Sequence, residues 1–225
     1  MEKTAFFSVA TVTIILIAGC IVCDELTTIT IRPDGSADWI RFQSNIRSTE
    51  KGEKGAQELR TFVAEFDAHT DSESVRVSEA GGELVESRWV RRSEPYATLV
   101  TARFPKASAL ENFFTIKDEK GRVLAQPHFT QAGNKRKLSI TIPVPRDETP
   151  KSKSPPSWTE WRERQANGIS ETRLVVAGGY IIATQGFVVS SDKRSCLLDS
   201  AQVEKLLSSQ PEHAELFVEW ELADN

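Results

Sequence analysis

The sequence predicts an α+β domain, an antiparallel and strongly twisted sheet covered on one face by two or three helices. Three observations carry that expectation. Leu26 to Arg32 is β-branched and alternating, and from Ala214 to Leu222 every second residue is apolar. Leu59, Phe62, Val63 and Phe66 recur at helical spacing, a narrow stripe that must face a core. Turn chemistry such as Pro33-Asp34-Gly35, where proline presets φ and glycine accepts a positive one, joins neighbouring runs.

Taken in order, Leu26 to Arg32 predicts the first strand and Ser36 to Ile46 the second. Trp39, Ile40 and Phe42 break strict alternation there and predict a bulge. Thr49 to His69 predicts a helix, secure from Ala56 because Gly52 and Gly55 weaken its first turn. Strands are expected over Ser74 to Ser78, Leu84 to Arg91 and Tyr96 to Phe104, and a short helix from Ser108 to Phe114. Thr115 to Lys117 and Arg122 to Thr130 predict a hairpin, and Lys137 to Val144 a strand ended by prolines. The polar, proline-rich stretch at 146–157 reads as an exposed loop, followed by a helix carrying Trp158 and Trp161 to about Ala166. Ile169 to Ala177, Tyr180 to Ala183, Phe187 to Ser190 and Ser195 to Leu198 are strand-like. Asp199, with Gln202 at the third helical position, opens a last helix through Leu207.

The first 23 residues have a different layout. A charged start, Met1-Glu2-Lys3, precedes an uncharged run that closes on Ile17-Ala18-Gly19-Cys20. Charged, apolar and small-residue regions in that order form a secretory signal. The four closing residues resemble the lipobox of bacterial lipoproteins: aliphatic, small, small, Cys. That resemblance implies cleavage after Gly19, a signal peptide at 1–19 and a lipid (palmitate among its chains) on Cys20. Residues 20–25 would then be a short lipidated tether, reaching at most roughly 20 Å, and 26–225 a single extracytoplasmic domain. Its place would be the cell membrane or outer membrane, facing the periplasm or exterior. Two other readings stay open. Thr4 to Val22 is 19 residues without a charge, long enough for an uncleaved spanning anchor, and the same run also suits a buried core helix.

The chain is 39% hydrophobic and 27% charged with a net charge of −4, ordinary for a globular domain and without the basic bias of a dedicated nucleic-acid binder. Its three cysteines are Cys20, Cys23 and Cys196. With Cys20 consumed by lipid, Cys23 and Cys196 are the candidates for a disulfide in an oxidising compartment, the alternative being a buried thiol at Cys196.

Chemical motifs are sparse. There is no Gly-x-Ser-x-Gly, His-Glu-x-x-His or phosphate-binding Gly-x-x-x-x-Gly-Lys, and Ser48-Thr49-Glu50-Lys51 fits Ser-x-x-Lys without its partner motifs. Glu65 and His69 stand four apart, two metal-ligand types lacking a third, so no metal or other cofactor is expected. Arg88, Arg91 and Arg92 lie among Glu83, Glu86 and Glu94, a solvated sheet face or a seat for anionic head groups or glycans. Trp158 and Trp161, beside Lys151, Lys153, Arg162 and Arg164, suit either a membrane or partner contact or a core cap.

The run Val176-Ala177-Gly178-Gly179-Tyr180-Ile181-Ile182-Ala183-Thr184-Gln185-Gly186-Phe187 has the order strand, glycine, aliphatic pair, glycine, aromatic. It resembles a segment of the LppM-type envelope lipoproteins. That resemblance implies an α+β domain with an apolar cavity and lipid-related binding. This chain departs from the pattern in having no large hydrophobic tail beyond its anchor.

The function expected is that of a lipid-anchored envelope protein with a binding or assembly role and no catalysis. Its partners would be the membrane, through the N-terminal lipid, and an envelope protein or lipid. The alternatives are an apolar-ligand or lipid carrier and an envelope hydrolase of unidentified substrate.

Overall fold

In the computed structural model, which describes residues 21–117, 123–143, 170–209 and 213–223, the first strand, β1 (Ile21–Ile31), starts well before Leu26. Residues 21–25 of the expected tether are strand. β2 (Ala37–Ser48) pairs with β1 antiparallel, Ile31 opposite Ala37 and Ile21 opposite Ser48. The expected bulge lies further along β2, between Gln43 and Ile46, where Asn45 takes a φ of 51°. Ile40 and Phe42 break the alternation for another reason: they sit on the outer face of the sheet, part-exposed, while Trp39 faces the core.

α1 (Gly52–Ala68) lays Leu59 and Phe66 on the sheet. It stops where His69 turns left-handed (φ 54°), its N–H bonding to Phe66 O while Thr70 N bonds to Glu65 O, the Schellman pattern. The strand expected over Ser74 to Ser78 is instead a helix, α2 (Ser72–Glu79). The cause is a cap. Asp71 Oδ1 accepts from the backbone N–H groups of Glu73 and Ser74 at 3.2 and 3.1 Å, and Ser74 Oγ donates to Asp71 Oδ2 at 2.7 Å. Alternation over only five residues is no match for that bonding, and it leaves Val77 buried and Val75 exposed.

β3 (Glu83–Arg91) and β4 (Tyr96–Phe104) form a hairpin at the edge of the sheet, and α3 (Ala109–Phe113) follows. β5 (Ile116–Lys117) and β6 (Val123–Ala125) make the expected small hairpin, but its second arm breaks at Gln126. The remainder, β7 (Pro127–Ala132), pairs with β8 (Lys135–Pro143) elsewhere. After the stretch at 144–169, outside the described residues, come β9 (Ser170–Val176), β10 (Gly179–Gln185), β11 (Phe187–Val189) and β12 (Ser195–Leu198). α4 (Ser200–Ser209) and β13 (His213–Leu222) complete the chain. Asp199 Oδ1 caps α4 as expected, accepting from Ala201 N at 2.9 Å.

The fold is α+β, with the strands in more than one sheet. A seven-stranded sheet runs β11-β12-β9-β1-β2-β4-β3, a four-stranded one runs β10-β13-β8-β7, and β5-β6 stand apart. One pairing, β1 with β9, is parallel. Two glycines make the exchange between the large sheets. Gly178 (φ 69°) lifts the chain from β9 to β10, and Gly186 (φ 83°) returns it to β11.

The space between the sheets is filled. Trp39, Phe104, Phe113, Leu174, Val218 and Trp220 are each at most 4% exposed. Phe113 meets the Trp39 ring at 4.9 Å and Phe104 at 5.2 Å, and Trp220 meets Phe129 at 5.9 Å. Each such side chain contributes about 1.5–3 kcal/mol by burial.

Candidate functional site

Strand register gathers a groove at the end of the seven-stranded sheet where β1 begins. Ile21 pairs with Ser48 and Ile46 with Tyr96, so the start of β1, the end of β2 and the tip of the β3–β4 hairpin lie side by side. α1 starts from the same edge. Between them is a cavity of about 470 Å³, floored by Ile46, Gly55, Ala56 and Leu59. Arg47, Ser48, Glu50 and Gly52 form one rim, and Glu94 and Pro95, joined by a cis peptide, the other.

Two contacts set this shape. A Cβ on Gly55 would stand 2.3 Å from Glu50 O, so only glycine lets the helix approach the loop this closely. Glu58, 7% exposed on α1, accepts a hydrogen bond from Ser48 Oγ and ties the helix to β2. On the rim Lys54 Nζ pairs with Glu50 at 2.8 Å. The volume falls in the range of small-molecule sites. The apolar floor and the rim with charges of both signs suit an amphiphile or a peptide segment, held by contact.

A second feature lies further along the inner face of the same sheet, where β1 and β2 turn polar. Arg41, in β2, is bonded to Glu25 of β1 at 3.0 Å and to Glu73 of α2 at 3.1 Å. Burial disfavours the charged guanidinium, but Glu73 and then Glu25 outweigh it, and the arginine is held above its ordinary range. Gln43 Nε2 donates to Cys23 Sγ at 3.1 Å beside this cluster. Glu73 also lies 3.7 Å from Arg76, which donates to Phe113 O. The chain of contacts links β1, β2, α2 and α3. Its charges are spent on one another, so it clamps α2 to the sheet.

The residues singled out by sequence fare differently. Cys20, Trp158, Trp161 and the loop at 146–157 lie outside the described residues. Cys23 and Cys196 are not bonded to each other. Cys196 stands opposite Leu174, which stands opposite Ile29, leaving Cys23 two strands away and about 20 Å along β1. A disulfide spans at most roughly 7 Å between Cα atoms. Cys196 is instead a buried thiol, 1% exposed and pushed up to about 12 by burial. His69 ends its helix in a left-handed turn and so leaves the face it would share with Glu65. His69, His128 and His213 are each exposed, on α1's end, β7 and β13. Among the described residues no group of three His, Cys, Asp or Glu side chains gathers at metal distance. Arg88 and Arg92 are engaged with Glu86 and Asp67.

Sequence reasoning missed both the groove and Arg41. The groove is built from residues of ordinary type, and Arg41 reads as one charge in a strand. The signal for Arg41 was its position two residues beyond Trp39, on the core-facing side.

No family model and no curated protein matches the sequence. Among solved structures, the NMR structure of the folded domain of Mycobacterium tuberculosis LppM aligns with all of this chain and 97% of its own, at 11% identity and a TM-score of 0.44. Among the described residues no helix is long and apolar enough to cross a membrane.

Proposed function

We propose that this chain is a lipid-anchored envelope protein with a binding or assembly role, and that the groove is where it binds. One observation carries the reading. β1 begins at Ile21, directly after Cys20, and the strand partner of Ile21 is Ser48, a wall of the groove. An acylated Cys20 would therefore hold the groove at the membrane with no leash between. This reading also counts Trp158 and Trp161 as membrane or partner contacts.

Labelling cells with an alkyne analogue of palmitate tests the anchor. The wild type takes the label, whereas Cys20→Ala loses it and stays unprocessed in the membrane fraction. Cleavage of Cys20→Ala to a soluble mature form would overturn the anchor. A photo-crosslinking amino acid at Ala56 tests the groove, with adducts expected in the native envelope and lost when Leu59→Trp fills the cavity. Adducts that ignore the tryptophan would remove the groove from the proposal.

A further inference from the structure

We infer that the blunt end of the seven-stranded sheet, made by the loops at 47–54 and 91–95, is the surface that rests on the lipid bilayer, and that the groove opens at head-group level. This rests on the anchored reading above and adds to it an orientation. Three observations converge. The first is where the chain leaves the described structure. Ile21 lies in register with Ser48, and no residues intervene between it and Cys20 to let the domain turn over.

The second is strand length. β1 runs 11 residues from Ile21 to Ile31, about 35 Å of straight strand. The β1–β2 turn at Asp34 is at its far end, as is Lys193, whose O accepts from Ile181 N where the chain crosses between sheets. An object anchored at one end of that strand stands with the near loops at the bilayer and the far turns distant from it.

The third is charge. The loops at 47–54 and 91–95 carry Arg47, Lys51, Lys54, Arg91 and Arg92 against Glu50, Glu53 and Glu94, a cationic excess in a chain whose net charge is −4. All of these except Glu50 are exposed. Arg91 also folds back to bond Pro95 O, which keeps the hairpin tip compact. A modest cationic excess beside a membrane anchor favours a surface bearing anionic phospholipid. The occupant proposed for this end is therefore the bilayer itself.

The test uses the full protein recovered from membranes. It is reconstituted into vesicles of phosphatidylethanolamine and phosphatidylglycerol that contain a phospholipid with a photoactivatable diazirine in its head group. After irradiation, peptide mapping locates the adducts. They are expected in 47–54 and 91–95 and to be scarce at 32–36 and 191–194. Lys51→Gln, at an exposed position, is expected to lower the yield at those loops by about fivefold. Equal yields at the two ends, or a preference for the far turns, would overturn the orientation. So would a photo-crosslinking amino acid at Lys51 that gives protein adducts in native envelopes and no lipid adduct in these vesicles, since that marks a protein occupant. Intact mass separates the two levels of the argument. A protein without lipid or anchor sequence refutes the anchored reading and this inference with it, whereas a lipidated protein labelled at the wrong end refutes only the inference.

Discussion

Arg41→Met should be among the most destabilising single changes in the chain. The side chain is 13% exposed and gives a charge-assisted bond to each of two carboxylates on different elements, Glu25 and Glu73. Methionine keeps most of the stem and removes only the charge. Two bonds of about 1.5–3 kcal/mol each are lost, and two part-buried carboxylates are left facing one another. Because Glu25 and Glu73 keep 29% and 22% exposure, water takes up part of the deficit, and about 3 kcal/mol is expected, the lower end for breaking a buried pair. For a domain of this size that corresponds to about 6–12 °C in Tm. Urea denaturation gives the free energy directly. Arg41→Met combined with Glu25→Gln and Glu73→Gln should recover much of the loss, because no buried charge is then unpaired. A single Arg41→Met within 0.5 kcal/mol of wild type (about the spread of surface substitutions) would show that the cluster does not clamp α2 to the sheet.

Other expectations follow from single contacts. Asp71→Ala should cost about 1 kcal/mol by removing the α2 cap, measured by urea denaturation, and no change would restore the strand reading of that segment. Ser87 Oγ is buried with no hydrogen-bond partner among the described residues, so Ser87→Ala should stabilise by about 1 kcal/mol, and a loss would reveal a partner. Gly186→Ala puts a Cβ 2.6 Å from Leu216 Cδ2 at a φ of 83°, and should cost at least about 2 kcal/mol in the same assay. The Cys196 thiol, pushed up to about 12 by burial, supports the fold while neutral. That support is complete below the unfolded thiol's pKa of about 8.5 and fades as pH rises toward the folded value. Alkaline unfolding should therefore be shallower in Cys196→Val, and iodoacetamide should reach Cys196 only on unfolding.

Much of the fold was legible because it obeyed local rules. Tyr96 to Phe104 was bounded to the residue, since its alternation meets a sheet with one well-covered face. α4 was found through Asp199, and β13 through five alternating apolar positions. The losses have physical causes. Residues 74–78 alternate for too short a span to decide between periods, and the deciding group, Asp71, stands outside the span. The start of β1 was missed because Cys23 and Glu25, facing the sheet's polar half, erase the alternation that the following residues show. Two sheets were read as one because strand pattern records which side of a strand is buried and not which sheet buries it. The only local trace of the exchange was the pair of glycines at 178 and 186, which also serve ordinary hairpins.

The groove was illegible for a deeper reason. Its walls come from the end of β2, the first turns of α1 and a hairpin tip some forty positions later in the numbering, and the register of β2 on β4 alone brings them together. Nothing in Ser48, Gly55 or Pro95 announces binding. What the sequence did contain was the cysteine one residue before the strand that closes this set. Read as a tethered domain, the chain would have freedom to present any face to the membrane. On the proposed anchoring at Cys20, a β1 that starts at Ile21 removes that freedom, and the same hydrogen-bonded register that builds the groove would also fix its distance from the lipid. An eight-residue Gly-Ser insertion between Cys20 and Ile21 would leave every described contact intact and lengthen the leash by up to roughly 25 Å. If position matters to what this protein binds, that insertion should impair it while leaving stability and lipid labelling unchanged.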